Sequence, residues 1–315
     1  MSDRLRVGVI GVGYLGKFHA RIYSAMPDVA LVGVVDVDAA TAQAIAAQYG
    51  CQAYTRPEAL LGKVDAVSIV VPTIHHLPVA RPYLESGVHM LMEKPLAPSY
   101  EDALALVEIA ERNGVVFQVG HLERFNAGVM ALAERVREPR FIEVHRLGEF
   151  VERATDVDVV TDLMIHDIDI VMSLVGSPIR EIAATGLPVL TEHVDIANAR
   201  IEFANGAVAN VTASRVSNKK QRRMRVFGHN GYYALNFMDQ QIEVVRAVSA
   251  QAGARAEIVA ERIEVEPRQP LDAELAEFIN SVRTGKPPLV GGRTGLEALR
   301  VALMVKEKIA SCLKA

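Results

Sequence analysis

Leu5-Arg6-Val7-Gly8-Val9-Ile10-Gly11-Val12-Gly13-Tyr14-Leu15-Gly16 is the stretch whose reading decides the fold. Leu5 to Ile10 reads as a buried strand. From Tyr14 to Met26 the residues Leu15, Phe18, Ile22 and Tyr23 recur at helical spacing. Three glycines sit between strand and helix at G-x-G-x-x-G spacing. Gly11 permits a tight turn, Gly13 lets the backbone approach a pyrophosphate, and Gly16 lets helix pack closely on strand. The helix start, with Tyr14 and Leu15, offers N–H donors and positive dipole charge to phosphates. The motif gains weight because it follows a strand, opens a helix and precedes Asp36 at the end of a second strand, Val29 to Asp36. A dinucleotide site is predicted, with Gly11, Gly13, Tyr14, Leu15 and Asp36 as contacts. A carboxylate at Asp36 accepts from both ribose hydroxyls and repels a 2′-phosphate. Val37-Asp38 supplies no arginine to hold that phosphate, so NAD is expected over NADP. Asp36 has an alternative reading as the cap of the helix from Ala39, a place that Asp38 fits better.

The rhythm continues outward from this stretch. Ala39 to Tyr49 is alanine-rich and helical, with Gly50 as its stop. Val64 to Val71, Val88 to Met92 and Val115 to Val119 read as strands; Leu77 to Glu85 and Tyr100 to Arg112 read as helices. Alternation of this kind predicts a doubly wound parallel sheet, a Rossmann domain over residues 1–121. After Gly120 the pattern changes. Phe125 to Arg137 looks helical, Phe141 to Leu147 extended, and Asp162 to Val175 strongly helical. Strands follow: Ile196 to Phe203 and Ala207 to Ala213 flank the turn Ala204-Asn205-Gly206. Met224 to Phe227, Tyr232 to Phe237, Ile242 to Ala247 and Glu257 to Val265 continue the series. Helices Asp272 to Arg283 and Gly295 to Cys312 close it. Residues 122–315 are therefore expected to form an α+β domain with an open, mostly antiparallel sheet, whose last helix can return to the first domain.

Composition narrows the function classes. The 315 residues are 50% hydrophobic and 23% charged, with a net charge of -4. Nothing in that balance points to a nucleic-acid or membrane partner. The two cysteines, Cys51 and Cys312, are far apart in sequence and form neither a disulfide framework nor a metal motif. The start, Met1-Ser2-Asp3-Arg4-Leu5-Arg6, has no secretory apolar region. The longest apolar run, Val64 to Pro72, is interrupted by Asp65 and too short to span a bilayer. A cytoplasmic protein is expected.

Two further segments carry chemistry. Glu93-Lys94-Pro95 closes the strand Val88 to Met92, and open parallel sheets bind ligands at the carboxyl ends of their strands. Lys94 is thus expected where cofactor and substrate meet, with Pro95 keeping it extended. A lysine there can stabilise an alkoxide, or lose its proton if neighbours depress its pKa. Val71-Pro72-Thr73 ends the preceding strand on the same edge. Pro72, Thr73, His76 and Glu93 are further cofactor-contact candidates, with an exposed loop histidine as the alternative for His75 and His76. The second segment is Asp162-Leu163-Met164-Ile165-His166-Asp167-Ile168-Asp169. Asp162, His166 and Asp169 at i, i+4 and i+7 share one face of a largely apolar helix. A histidine near a carboxylate takes a proton from an alcohol near neutral pH. Asp162 as a mere helix cap, His166 as a core histidine and a divalent metal site are the competing readings, with no metal preferred.

Four motifs in order then resemble one family. They are Gly11-x-Gly13-x-x-Gly16, Glu93-Lys94-Pro95, Gly120-His121-x-x-Arg124-Phe125-Asn126 and Asp162-x-x-x-His166. The chain resembles the glucose–fructose oxidoreductase/inositol dehydrogenase family along essentially its whole length. The resemblance implies an N-terminal Rossmann domain, a C-terminal open-sheet domain and homo-oligomers. It gives Lys94 contacts to substrate and nicotinamide, and proton transfer and substrate binding to Asp162 and His166. Arg124 and Asn126 become candidate sugar contacts. Longer strings, Asp162 to Ile170, Asp195 to Phe203 and Thr212 to Arg215, resemble the UDP-N-acetylglucosamine 3-dehydrogenases. Those oxidise a sugar 3-hydroxyl on the way to the 3-amino sugars of lipid A. Ala127 replaces a proline common in the family and removes no functional group. A UDP-sugar brings a diphosphate, for which Arg215 or the basic run Lys219 to Arg225 is a candidate cation, although a solvated basic loop is the usual fate of such a run. A free polyol such as an inositol is the alternative substrate. A non-catalytic NAD sensor is disfavoured because Lys94 and His166 are both present.

Overall fold

The computed structural model describes residues 4–151, 157–229, 231–248 and 257–313. The start read above, Met1 to Asp3, lies outside them. The chain forms two compact units. The first takes the chain up to His121 and also Leu271–Glu297; the second takes Leu122–Pro270 and the chain from Ala298.

The first unit is built from β1 Leu5–Ile10, α1 Gly16–Ala25, β2 Val29–Val35, α2 Ala39–Tyr49, β3 Gln52–Tyr54, β4 Ala66–Ile69, α3 His76–Glu85, β5 His89–Glu93, α4 Tyr100–Arg112 and β6 Phe117–Gly120. The sheet order is β3-β2-β1-β4-β5-β6, and every pairing is parallel. A sheet covered on both faces has no solvent side, so all four residues of β4 are buried rather than alternating. Local signals set the helix ends. Asp38 caps α2 and Gly50, at φ 67°, stops it; Ser99 caps α4 by accepting from the Asp102 N–H. The short β3 was not visible in the sequence, because three residues carry no readable period. Beyond the expected elements, α7 Pro270–Thr284 gives Leu275, Phe278 and Ile279 to the core around Val7, Tyr23 and Leu91. Those contacts place α7, rather than the whole last helix, with the first unit.

The second unit holds α5 Ala127–Arg135, β7 Pro139–Leu147, α6 Ile165–Val175, β8 Ile179–Leu187, β9 Ile196–Phe203, β10 Val208–Ser214, β11 Gln221–Gly228, β12 Gly231–Asn236, β13 Gln241–Val248 and β14 Glu257–Ile263. Most of α8, Gly292–Leu313, belongs here too. Its sheet runs β14-β13-β12-β11-β7-β10-β9-β8, antiparallel except for the parallel pair β7–β10. One face packs Ile142, Val144, Val211, Met224 and Val226 against Leu132, Ile168, Val171 and Val301 from the helices. On the other face Phe141, Phe227 and Tyr232 stack at 5.6 and 4.8 Å, and Arg225 pairs with Glu143. The Ala204-Asn205-Gly206 turn is a three-residue loop. Gly206 sits at φ +84° and donates to Phe203, the left-handed position that makes glycine necessary there.

Candidate active site

Strand order reverses between β1 and β4, and the glycine loop crosses that point. Its three glycines differ in what a side chain would meet. A Cβ at Gly11, where φ is +84°, would stand 2.3 Å from the Val70 carbonyl oxygen. A Cβ at Gly16 would stand 1.8 Å from the Gly11 carbonyl oxygen. A Cβ at Gly13 would meet nothing within 4 Å, and Gly13 and Tyr14 are exposed. Two glycines build the loop; the third leaves clear the space a pyrophosphate needs, so the residues fit a dinucleotide. Gly13→Ala is expected to unfold at the wild-type temperature but to bind NAD about tenfold or more weakly. Gly16→Ala is expected to lose both. Equal thermal losses in the two variants would refute this division.

Asp36 follows β2. Its Oδ2 accepts from the Val12 N–H at 3.0 Å and its Oδ1 from the Asp38 N–H at 3.0 Å. It braces the loop, while capping of α2 falls to Asp38. There the Thr41 hydroxyl and the Ala40 and Thr41 N–H groups hold the carboxyl below its usual range. Beyond β4, Val71-Pro72-Thr73 leads into a short 3-10 turn, Thr73–His75. Thr73 is half-buried and His75 exposed. His76 is buried, with Nδ1 3.2 Å from the Leu96 carbonyl and Nε2 3.0 Å from that of Val71. Burial pushes its pKa down, and those carbonyls work against that shift. Both ring nitrogens face main chain, and His76 ties Val71 to Leu96.

β5 ends at Glu93, which is buried. Its Oε2 accepts from the Lys94 N–H at 3.3 Å, and its Oε1 lies 3.4 Å from His19 Nε2. A Cβ at Gly120 would stand 2.8 Å from the same Oε2, so the neighbouring strand needs glycine there. Lys94 is half-buried, and the Lys94–Pro95 peptide bond is cis.

In the second unit the helix expected from Asp162 begins differently. Val160–Met164 is a π-helical turn, and α6 starts only at Ile165. Because the Ile165 N–H reaches back to Val160, each residue advances by less than the α-helical step. Asp162 therefore lies on the π turn and His166 on the first turn of α6. Turns of this type collect at functional sites. The cap is Asp158, whose Oδ1 accepts from Val160 and Thr161 N–H at 3.0 and 2.9 Å. Asp162, half-buried, does not cap this helix, and His166 is 8% exposed.

The third member of the expected stripe, Asp169, is held by Arg124 Nη1 at 3.3 Å. Next to it lies a buried ion network that the linear sequence does not announce. Arg146, 3% exposed, clasps Asp167 through Nε at 2.8 Å and Nη2 at 2.7 Å, and reaches Glu123 through Nη1 at 2.8 Å. Burial alone would lower the pKa of this guanidinium; Asp167 and Glu123 outweigh it and raise it. Burial likewise pushes the Asp167 carboxyl up, against Arg146. Arg222 stands directly across the β7–β11 ladder from Arg146. Burial and the Arg146 charge push the Arg222 pKa down. Its nearest carboxylate, Glu123, is 3.6 Å away, and among the described residues no hydrogen bond engages its side chain.

Two expected substrate contacts have other work. Asn126 is buried; its Oδ1 caps α5 through the Gly128 N–H at 3.0 Å, and its Nδ2 donates to the Phe237 carbonyl at 3.0 Å. Arg215 is 7% exposed, donates to the Val157 carbonyl and lies 3.5 Å from Asp195. Burial raises the Asp195 carboxyl, but the Leu190, Thr191 and Val189 N–H groups overcome it and hold the pKa at about 2. Both side chains have partners in the frame of this unit. Among the described residues no group of three or more His, Cys, Asp or Glu is placed to hold a metal ion. No helix among them is long and apolar enough to cross a membrane.

Hydride chemistry on an alcohol needs a dinucleotide and a group that manages the hydroxyl proton. The first of the two units carries a loop that fits a dinucleotide, as in nicotinamide-dependent dehydrogenases. Residues 5–121 match the oxidoreductase family with the NAD-binding Rossmann fold, and residues 129–234 match the GFO/IDH/MocA C-terminal domain. The chain belongs to the GFO/IDH/MocA oxidoreductase family. It is 36% identical over 311 residues, 98% of this chain and 99% of the relative, to the UDP-N-acetylglucosamine 3-dehydrogenase of Acidithiobacillus ferrooxidans. A solved structure of that enzyme superposes with a TM-score of 0.93 over 99% of both chains. The scyllo-inositol 2-dehydrogenase (NAD(+)) of Bacillus subtilis is 29% identical, over 92% of this chain and 90% of its own. An Agrobacterium radiobacter oxidoreductase, solved with NAD+, L-tartaric acid and magnesium, shares the fold at a TM-score of 0.87 and 18% identity, covering 98% of this chain and 96% of that one.

Proposed function

We propose that this protein is an NAD-dependent dehydrogenase that oxidises the 3-hydroxyl of UDP-N-acetylglucosamine to a ketone. The full-length likeness to the Acidithiobacillus enzyme carries this reading. NAD, when bound, supplies the hydride acceptor. Lys94 stabilises the developing alkoxide with its ammonium group, where an oriented charge does most for rate. His166 takes the hydroxyl proton on its imidazole, and Asp162 orients it or holds a neighbouring hydroxyl. Asp36 binds the ribose. The 3-keto product is what an aminotransferase converts to a 3-amino sugar of the lipid A type. A cytoplasmic setting suits a nucleotide-sugar substrate. The half-buried aromatic face of Phe141, Phe227 and Tyr232 suits packing against a second copy.

Arg222 replaces Arg215 as the candidate for the diphosphate. Among the described residues the half-buried Arg222 guanidinium has an ion pair with Glu123 at 3.6 Å but no hydrogen bond, so it gains most from a bidentate anion. Arg222→Gln is expected to raise the KM for UDP-N-acetylglucosamine by about 10- to 100-fold, the worth of charge-assisted hydrogen bonds. The kcat changes little. Steady-state assays with NAD against a panel of UDP-sugars, free sugars and inositols test both statements. Oxidation of inositols alone would favour the polyol reading, and an unchanged KM in the variant would remove Arg222 from substrate binding.

A further inference from the structure

Behind Glu93, inside the first unit, lies a concentration of buried polar atoms short of hydrogen bonds among the described residues. His19 on α1, Gln118 on β6 and Glu274 on α7 are all 0% exposed, and Glu93 is 6% exposed. Among the described residues no hydrogen bond reaches either ring nitrogen of His19, either carboxyl oxygen of Glu274, or Oε1 of Glu93 or Gln118. Gln118 donates to the Glu274 main-chain carbonyl at 3.2 Å, which anchors α7 to β6. Glu274 faces Glu93 from β5, Tyr23 from α1 and Glu277 on its own helix. Glu93 faces His19 from α1 and His76 from α3. Tyr23 is itself engaged with Ser68 at 2.8 Å.

Apolar residues of similar size would fill this space with less desolvation, so stability does not explain the set. Burial, and after it the charges of Glu93 and Glu277, drive the Glu274 carboxyl well above its usual range. The His19 imidazole lies 3.4 Å from the Glu93 carboxyl, and Glu274 is buried in the same unit. The Glu93 Oε2 bond to the main chain of Lys94 links the set outward.

We propose that His19 and Glu274 are positioning residues for the cofactor half of the reaction, forming with Glu93 a buried proton-sharing cluster whose charge follows that of the nicotinamide ring. The inference rests on the reading that the nicotinamide lies beside Lys94. The cluster favours one proton fewer beside the cationic oxidised ring and one more beside the neutral reduced ring. That proton is exchanged with solvent, separately from the hydroxyl proton taken by His166. Raising the pH should therefore tighten NAD+ relative to NADH.

The test is the affinity of the whole protein for NAD+ and for NADH, by calorimetry or fluorescence, between about pH 6 and about pH 9. The expected ratio Kd(NAD+)/Kd(NADH) falls with rising pH, by at most about tenfold per pH unit, the limit for one linked proton. Glu274→Gln keeps the side-chain shape, removes the titrating proton and flattens that slope, with NADH affinity within about twofold of wild type. His19→Gln also flattens it, and serves alone if Glu274→Gln does not fold. His166→Asn keeps the slope. A purely structural role would weaken both cofactors equally and leave the slope intact. A pH-independent ratio in the wild type, an unchanged slope in the variants, or a slope lost in His166→Asn overturns the inference. Failure of the wild type to bind either cofactor would strike the cofactor reading instead.

Discussion

Lys94→Ala is expected to lower kcat by about 10²- to 10³-fold, the usual consequence of removing one oriented donor from a developing oxyanion. The residue follows β5 directly, and its N–H is fixed by the Glu93 carboxylate at 3.3 Å. Its side chain is half-buried, so its charge acts in a partly water-excluded place. The glycine loop and Asp36 are untouched by the change, so NAD affinity should stay within a few-fold of wild type. Lys94→Arg separates the two roles open to a lysine. A guanidinium keeps the charge but does not lose a proton, so activity above that of the alanine variant would assign Lys94 to electrostatics and the proton to His166. Stopped-flow measurement of NADH formation, with NAD affinity measured separately, reads both numbers. Near-normal turnover in Lys94→Ala would end this mechanism.

Arg146→Ala should cause the largest loss of stability, about 3–5 kcal/mol, as expected when one partner of a buried ion network is removed. Asp167 would be left fully buried without its two bonds, and Glu123 without its closest cation. The Phe237 ring, 5.2 Å from the guanidinium, would lose its cation as well. The change should appear as a fall in Tm of roughly 10 °C. Its pH dependence has a definite sign. With Arg146 gone, burial raises the Asp167 pKa in the folded state further, so the variant loses stability as pH rises above the unfolded carboxylate value. The deficit against wild type is therefore smaller near pH 4 than near pH 8. Replacing Arg146 and Asp167 together with Met and Leu should recover part of the loss. A deficit that does not vary with pH would show that Asp167 stays ionised without its partner.

How much was legible in advance depended on the range of the interaction. The parallel sheet, the cap at Asp38, the stop at Gly50 and the hairpin at Gly206 each rest on residues within one turn of each other. The roles of Gly11 and Gly16 were readable for the same reason. The partners of Asn126 and Arg215, Phe237 and Val157, lie far away along the chain and were not readable from neighbouring residues. The Asp162–His166 spacing was read as α-helical, since no residue in Val160–Met164 announces a π turn. The missed residues had no local signal at all. Arg146 meets Arg222 only through the β7–β11 register, and Glu274 meets Glu93 only because α7 packs on the parallel sheet.

By itself, then, the amino-acid order determined the dinucleotide loop, the doubly wound first unit and the lysine at the strand edge. Each depends on backbone geometry set by neighbouring residues. Only the tertiary structure decided which polar side chains are at liberty to act. Burial and pairing consumed Asn126, Arg215 and Asp169 in the frame, left Arg222 short of partners, and gathered His19, Glu93 and Glu274 behind Lys94. A side chain's chemistry is written in its type, but its charge state and availability depend on which distant residues share its low-dielectric surroundings.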